Sequence, residues 1–114
     1  MFKLKLVLLY FALAASSLGL CGEGTGKITG FVPYFVGADE AIIIMTQSIT
    51  GTSACNTTAR FAMKSSDPKF KGTRAAAMAA YLAASPVVLR GANTCNTFGN
   101  SEDLLYMCVG SIPC

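Results

Sequence analysis

The sequence predicts a mainly β protein with one helix, in which five strands form a small barrel. Two observations support this fold class. Short segments rich in β-branched and aromatic residues recur along the chain and end at glycine or polar turns, as strands do. One alanine-rich segment between the third and fourth of these has the composition of a helix. The length of 114 residues accommodates one small domain.

The N-terminus has the layout of a secretory signal peptide. Two lysines precede an uncharged apolar run that ends at Leu20. The run is about 15 residues long, shorter than the roughly 20 that a helix needs to cross a membrane, so no stable membrane span is expected. We predict a signal peptide at residues 1–19 and one domain at residues 20–114, in a secreted or periplasmic protein. Lipidation of Cys21 is the alternative, although such sites have a small residue where Leu20 stands.

Removing the signal peptide brings the charge close to neutral. The whole chain carries nine Lys and Arg against six Asp and Glu, a formal charge of +3. Lys3 and Lys5 belong to the signal, which leaves seven basic and six acidic residues. Attraction to phosphate grows with the number of phosphates neutralised, so this balance argues against nucleic acid as a partner.

Three strands are predicted in the first half of the mature chain, where apolar residues alternate or cluster between turn signals. They span residues 26–36, 41–47 and 56–64, with a polar loop at 48–54. Gly30 or Pro33 is expected to bend the first strand. The glycine-rich residues 22–26 before it are expected to be flexible.

One helix is predicted at residues 69–84. Asp67 is a suitable N-cap, Pro68 fits the first helical position, and Pro86 ends the helix. The stripe on one side of the helix comprises Phe70, Ala77, Tyr81 and Ala84. Two further strands are predicted at residues 87–91 and 104–109, with a polar loop at 93–103 and a tail at 110–114.

The predicted order of elements is strand, strand, strand, helix, strand, strand. This is the order of the OB-fold, a five-stranded, partly open barrel. A plain α+β sheet with one covering helix and a small sandwich are the competing architectures. We therefore expect a single OB-fold-like domain.

The mature chain carries five cysteines, an odd number, in a compartment where disulfides persist. Cys55 and Cys95 are predicted to pair, because each ends a polar loop beside an apolar segment. Cys114 is suited to pinning the tail, and both Cys108 and Cys21 are candidate partners. Because the chain has no histidine and no Cys-x-x-Cys, no metal site is expected.

The absence of histidine excludes the Ser-His-Asp and Cys-His arrangements of nucleophilic catalysis. All six carboxylates fall in predicted turns or caps, where solvation is their ordinary role: Glu23, Asp39, Glu40, Asp67, Glu102 and Asp103. We therefore expect a protein that is not an enzyme and uses no cofactor.

Several short segments resemble the small OB-fold B subunits of A-plus-five-B bacterial toxins, in the subtilase-type and pertussis-like group, and similar small secreted bacterial proteins. The matching segments are Gly26-x-Ile28, Ser53-Ala54-Cys55, the helix after Phe70, Pro86-Val87-Val88-Leu89 and Cys95. The resemblance implies a secreted or periplasmic homo-pentamer that binds glycans and associates with a toxin A subunit. A stand-alone envelope protein with a protein-binding or structural role is the alternative.

Candidate ligand-binding residues lie in the polar loops, because loop hydroxyls and amides can hydrogen-bond sugar hydroxyls. They are Thr50, Thr52, Ser53, Asn93, Asn96 and Asn100, with Tyr34 or Tyr106 as a surface on which a sugar ring stacks.

Two apolar runs, at residues 41–45 and 104–107, are continuous rather than alternating. A small barrel exposes one face of each strand, so something must cover the second face of these runs. A subunit interface is one explanation, and packing within the chain with some apolar exposure is the other. The alanine-rich helix has the same two alternatives, its own barrel or neighbouring helices.

Overall fold

The computed structural model describes residues 21–114. The predicted signal peptide at residues 1–19 lies outside the described residues. The elements are β1 (Glu23–Val36), β2 (Asp39–Thr50), β3 (Phe61–Lys64), α1 (Phe70–Ala83), β4 (Pro86–Gly91) and β5 (Glu102–Val109). Within residues 21–114 the protein is therefore mainly β with one helix, and these elements follow the predicted order.

The five strands form one sheet that closes into a ring in the order β1-β2-β3-β5-β4. Most neighbours are antiparallel. The exception is a parallel joint between β3 and β5, which consists of only Phe61 with Glu102 and Ala62 with Asp103. Beyond these two pairs, β3 and β5 are not hydrogen-bonded to each other as strands.

A bend in β1 allows this strand to pair with β2 along one edge and with β4 along the other. Gly26 has a φ of +95°, and the pairing with β2 shifts register between Thr25 and Gly30. Such bulges bend a strand, and glycine adopts a positive φ without strain. The predicted bend is thus present but begins at Gly26, whereas Pro33 lies in regular register with Ile42. The expectation that residues 22–26 are flexible is wrong, since β1 begins at Glu23.

Strand β3 is much shorter than the predicted 56–64. The buried Asn56 accepts from the N–H groups of Thr58 and Arg60, both at 3.4 Å, and donates its amide to the Arg60 carbonyl at 3.1 Å. Ala59 has a φ of +57°. Local bonds from an asparagine side chain compete with a strand ladder, so the chain forms a turn here.

Strand β2 is longer than predicted, because β1 is longer. Glu23 pairs with Thr50, which places residues 48–50 in the strand rather than in the predicted loop. Similarly, β5 begins at Glu102 instead of at residue 104.

The core lies inside the ring and is closed by α1. Ile42, Ile44, Phe61 and Leu89 are fully buried there.

The hairpin turn between β1 and β2 places Gly37 at a φ of +62°, as a two-residue hairpin turn requires.

The helix contacts the core through Phe70, Ala77 and Ala80. The predicted stripe is therefore wrong in part, since Tyr81 is half exposed and Ala84 is the left-handed C-cap. The reason is geometric. Phe70, Ala77 and Ala80 face the core, whereas residues 81–84 are all exposed, so the last turn of the helix lies outside the core.

The N-cap position is occupied by Lys69 rather than Asp67. The Asp67 carboxylate still accepts the Lys69 N–H, at 2.9 Å, from just outside the helix.

The described residues contain no helix long and apolar enough to cross a membrane.

Candidate functional site

The loop between β4 and β5, residues 92–101, folds back over the outer face of β2 and β3. Tyr34, Ala41 and Lys64 share this face because they are cross-strand partners. The Phe98 ring of the loop packs on the Tyr34 ring with centroids 5.6 Å apart. Ala41 and Ile43, on the second face of the apolar run in β2, are only 1% and 7% exposed in the single chain. Of the two explanations for this run, packing within the chain accounts for its burial.

A groove opens where this loop passes the end of β3, and we name it the β3–β5 groove. Its volume is about 420 Å³, within the usual range for ligand sites. The lining comprises residues of β3, the β3–α1 connection, the β4–β5 loop and β5: Ala62, Met63, Lys64, Ser66, Asp67, Pro68, Lys69, Asn96, Thr97, Asp103 and Leu104. The groove exists because β3 and β5 stop pairing after Ala62 and Asp103.

Asp103 fixes the part of the loop that borders the groove. Its carboxylate accepts the Thr94 hydroxyl at 2.6 Å and the N–H groups of Asn96 and Thr97 at 2.8 and 2.9 Å. Burial pushes the pKa of this carboxyl upward, but the hydrogen bonds outweigh burial and hold the pKa below its ordinary value. Asp103 is therefore ionised at neutral pH, and the loop backbone is held in one position.

A disulfide between Cys55 and Cys95 joins the same loop to the β2–β3 connection. The Cα atoms are 6.1 Å apart, within the normal range for a disulfide. This is the pair expected from the sequence. Cys108 pairs with Cys114, which leaves Cys21 exposed and free.

Lys64 is the lysine of the groove that remains available to a ligand. Lys69 lies 3.1 Å from Asp67, so these two charges offset each other. Asp103 accepts three hydrogen bonds from its own loop. Within residues 21–114, no carboxylate oxygen lies within 4.0 Å of the Lys64 ammonium. A ligand would therefore meet one unpaired cation, together with the Ser66 hydroxyl and the Asn96 amide.

Comparison of this chain with protein-family models, with curated proteins and with solved structures gives no match. Within residues 21–114, no three His, Cys, Asp or Glu side chains form a cluster that would hold a metal ion.

The structure brings only one of the predicted ligand residues, Asn96, into the groove. Tyr34 borders a separate cavity of about 100 Å³ beside Phe70 and Arg74. Ser53 is buried and donates its N–H to Glu102, as does Asn93. These two positions are thus engaged in holding the loops.

The remaining predicted residues are scattered. The Asn100 side chain accepts from Arg60 at 3.1 Å. Thr50 and Thr52 are exposed near the end of β2, and Tyr106 is exposed on β5 opposite Arg90. They do not form one site with Asn96.

Sequence reasoning missed Lys64, Ser66 and Asp103 as groove residues. Lys64 is the last residue of a predicted strand, and Asp103 stands in a predicted polar loop. Neither position has a sequence pattern that marks it as part of a binding site.

Glu102 was expected to be a solvated turn charge, and this is wrong, because its side chain is fully buried. The reason is that β5 begins at Glu102 and directs this side chain inward toward three backbone N–H groups.

Proposed function

We propose that the protein is a non-enzymatic binding module that works outside the cytoplasm and holds a glycan in the β3–β5 groove. One observation carries the proposal. The groove is lined by the exposed Pro68 ring, with Met63 and Leu104 buried beneath, and by a rim whose polar groups are available. Within the described chain, the side chains of Ser66 and Asn96 make no hydrogen bond. Sugars present both apolar C–H surface and hydroxyls, and this lining offers partners for both.

We also infer that the ring of strands is an OB-fold barrel. The element order, the ring order and the helix between β3 and β4 support this. In OB-folds the face of strands 2 and 3 and the loop between strands 4 and 5 bind oligosaccharides and oligonucleotides. The groove is lined by residues of β3 and of the β4–β5 loop, and by none of β2. The near-neutral charge of the mature chain favours a saccharide over a nucleic acid.

The location outside the cytoplasm is supported by the cysteines. The pairs Cys55–Cys95 and Cys108–Cys114 lie at disulfide distance, which is compatible with an extracytoplasmic protein. Self-association into a homo-oligomer, assembly of five copies and association with a toxin A subunit are what the resemblance to toxin B subunits implies. These belong to the same proposal.

Glycan binding is tested with the oxidised protein on a glycan array, followed by titration of the glycan that binds. We expect Lys64→Ala and Asn96→Ala each to weaken binding by about tenfold, which corresponds to the loss of one charge-assisted or neutral hydrogen bond. Lys71→Ala is the matched control, since Lys71 is an exposed lysine of α1 outside the groove. If the folded protein binds no glycan, the alternative of an envelope protein with a protein-binding or structural role is favoured.

A further inference from the structure

Tyr34 is an exposed aromatic residue beside the β3–β5 groove. It lies on β1, and 54% of its surface is exposed. Its cross-strand partner on β2 is Ala41, whose own partner on β3 is Lys64. The three side chains therefore form one row on the outer face of the sheet. Ala41 contributes only a methyl group to the row, so no larger side chain of this row stands between Tyr34 and the groove residue Lys64.

Phe98 connects Tyr34 to the loop that borders the groove. The two rings have their centroids 5.6 Å apart and their planes tilted by 56°. Phe98 directly follows Thr97, which lines the groove. The Thr97 N–H is bound by the Asp103 carboxylate at 2.9 Å, and the Phe98 carbonyl accepts the Ser101 N–H at 3.3 Å. The loop is thus held on both sides of Phe98, and Tyr34 packs against a support that is already in place before a ligand arrives.

The exposed Tyr34 side chain has the properties of a surface on which a sugar stacks. The face of an aromatic ring carries partial negative charge, and the C–H groups of a sugar ring pack on such a face. The phenol hydroxyl can also exchange hydrogen bonds with sugar hydroxyls. Because Phe98 meets Tyr34 at a tilt and not face to face, ring surface remains for a ligand.

The small cavity that Tyr34 also borders is not the site of this contact. Its volume of about 100 Å³ is below the usual range for ligand pockets. The Arg74 side chain at its wall is already engaged, since it lies 3.0 Å from the Glu40 carboxylate and over the Phe70 ring. A ligand would therefore meet the exposed part of the Tyr34 ring on the outer face of the sheet.

The separation of Tyr34 from Lys64 sets the length of a ligand that reaches both. They lie two strands apart, which amounts to about 10 Å. Side chains stand roughly perpendicular to a sheet, so the ends of these two are separated by a similar distance. One sugar ring is shorter than this distance. A single sugar contacts either the groove or Tyr34, and only a chain of sugars contacts both.

We propose that Tyr34 is a second sugar subsite and that the protein binds an oligosaccharide extending from the β3–β5 groove across Ala41 to Tyr34. The inference rests on the proposed glycan binding in the groove. It adds that the ligand is a chain of sugars instead of a single terminal sugar. It also adds the direction of this chain, which runs across the strands from β3 to β1.

Linear oligosaccharides of increasing length test the subsite. The probes are fragments of β-glucan, chitin, mannan and galactan, from the monosaccharide to the hexasaccharide, each titrated against the oxidised protein. In the series that binds, we expect the affinity to rise by about tenfold once the chain is long enough to reach Tyr34, which is the contribution of one aromatic contact.

Substitutions locate this rise in affinity. Tyr34→Ala should abolish it, and Tyr34→Phe should keep it, because stacking needs the ring. Lys64→Ala should weaken the binding of every length in the series, since Lys64 lies in the groove. Tyr81→Ala is the matched control and should keep the rise, because Tyr81 is 49% exposed on α1 and does not line the groove.

Fluorescence gives a second readout that does not depend on removing the ring. The chain contains no tryptophan, so Tyr34→Trp places the only such fluorophore at the proposed subsite. We expect its emission to shift to shorter wavelength when the long oligosaccharide covers the ring, and to stay unchanged with the monosaccharide.

The outcomes distinguish this inference from the proposed function. Glycan binding without a rise in affinity with length, or with a rise that Tyr34→Ala leaves in place, overturns the subsite and leaves binding in the groove intact. A Tyr34→Trp emission that does not respond to a bound long chain also overturns it. A folded protein that binds none of the four series overturns the subsite, whereas glycan binding itself is judged on the array.

Discussion

The backbone N–H of Gly22 donates a 2.9 Å hydrogen bond to the Glu102 carboxylate, although the two residues are 80 positions apart. Ser53 and Asn93 donate their N–H groups to the same carboxylate at 3.3 and 3.2 Å. A Cβ atom at Gly22 or at Gly91 would collide with it. One buried side chain therefore joins the start of β1 to the β2–β3 and β4–β5 connections.

Glu102→Gln is expected to destabilise the protein by about 2–4 kcal/mol. The amide NH₂ of glutamine would face backbone N–H donors, and at least one buried donor would lose its acceptor. Urea unfolding measures the loss. Glu40→Gln is the control, because its ion pair with Arg74 is solvent-exposed and such pairs contribute only about 0–1 kcal/mol. Equal effects of the two substitutions would contradict the structural role of Glu102.

Asp103→Asn is expected to lower stability at neutral pH by about 1 kcal/mol, because a weaker acceptor replaces the carboxylate. The pKa of Asp103 is lowered on folding, so its contribution is present above the unfolded value of about 3.9 and is lost as pH falls through the lower folded value. Unfolding curves of the two proteins should therefore converge in strong acid. A difference that grows below pH 4 would contradict this assignment.

The two disulfides are expected to differ in their contribution. The Cys55–Cys95 bond closes 40 residues and the Cys108–Cys114 bond only 6. Loop-closure entropy then predicts losses of about 4 and about 2 kcal/mol when each pair is replaced by serine. Thermal or urea unfolding checks the order. Cys21→Ser serves as the control and should leave stability unchanged, since Cys21 is exposed and free.

Gly26→Ala and Gly72→Ala should have opposite effects. At Gly26 the φ is +95° and a Cβ would lie 2.7 Å from the Gln47 Oε1, so alanine costs about 1–3 kcal/mol. At Gly72, in α1, a Cβ meets nothing within 4 Å, and alanine adds about 0.5–1 kcal/mol through helix propensity. Paired melting curves measure both. Stabilisation by Gly26→Ala would show that the bend in β1 is not at that residue.

Local patterns predicted most elements because each pattern reports a short-range preference. The alanine-rich run gave helix bounds within one residue of Phe70–Ala83. Strand β3 was overextended, because the alternation at residues 56–60 contains no sign that the Asn56 side chain would bond its own backbone. The groove was not predicted, because Lys64 and Asn96 are 32 positions apart and meet only through the return of the β4–β5 loop.

The sequence by itself determined the order of elements and the pairing of Cys55 with Cys95, since both depend on residue type and position along the chain. The tertiary structure decided which groups are covered. The second face of the β2 run is buried within the chain, Glu102 is enclosed by three segments, and β5 pairs with β3 at only two residues. Whether a side chain or strand edge is buried depends on where segments distant in sequence are placed. The periodicity within one segment carries no information about that placement.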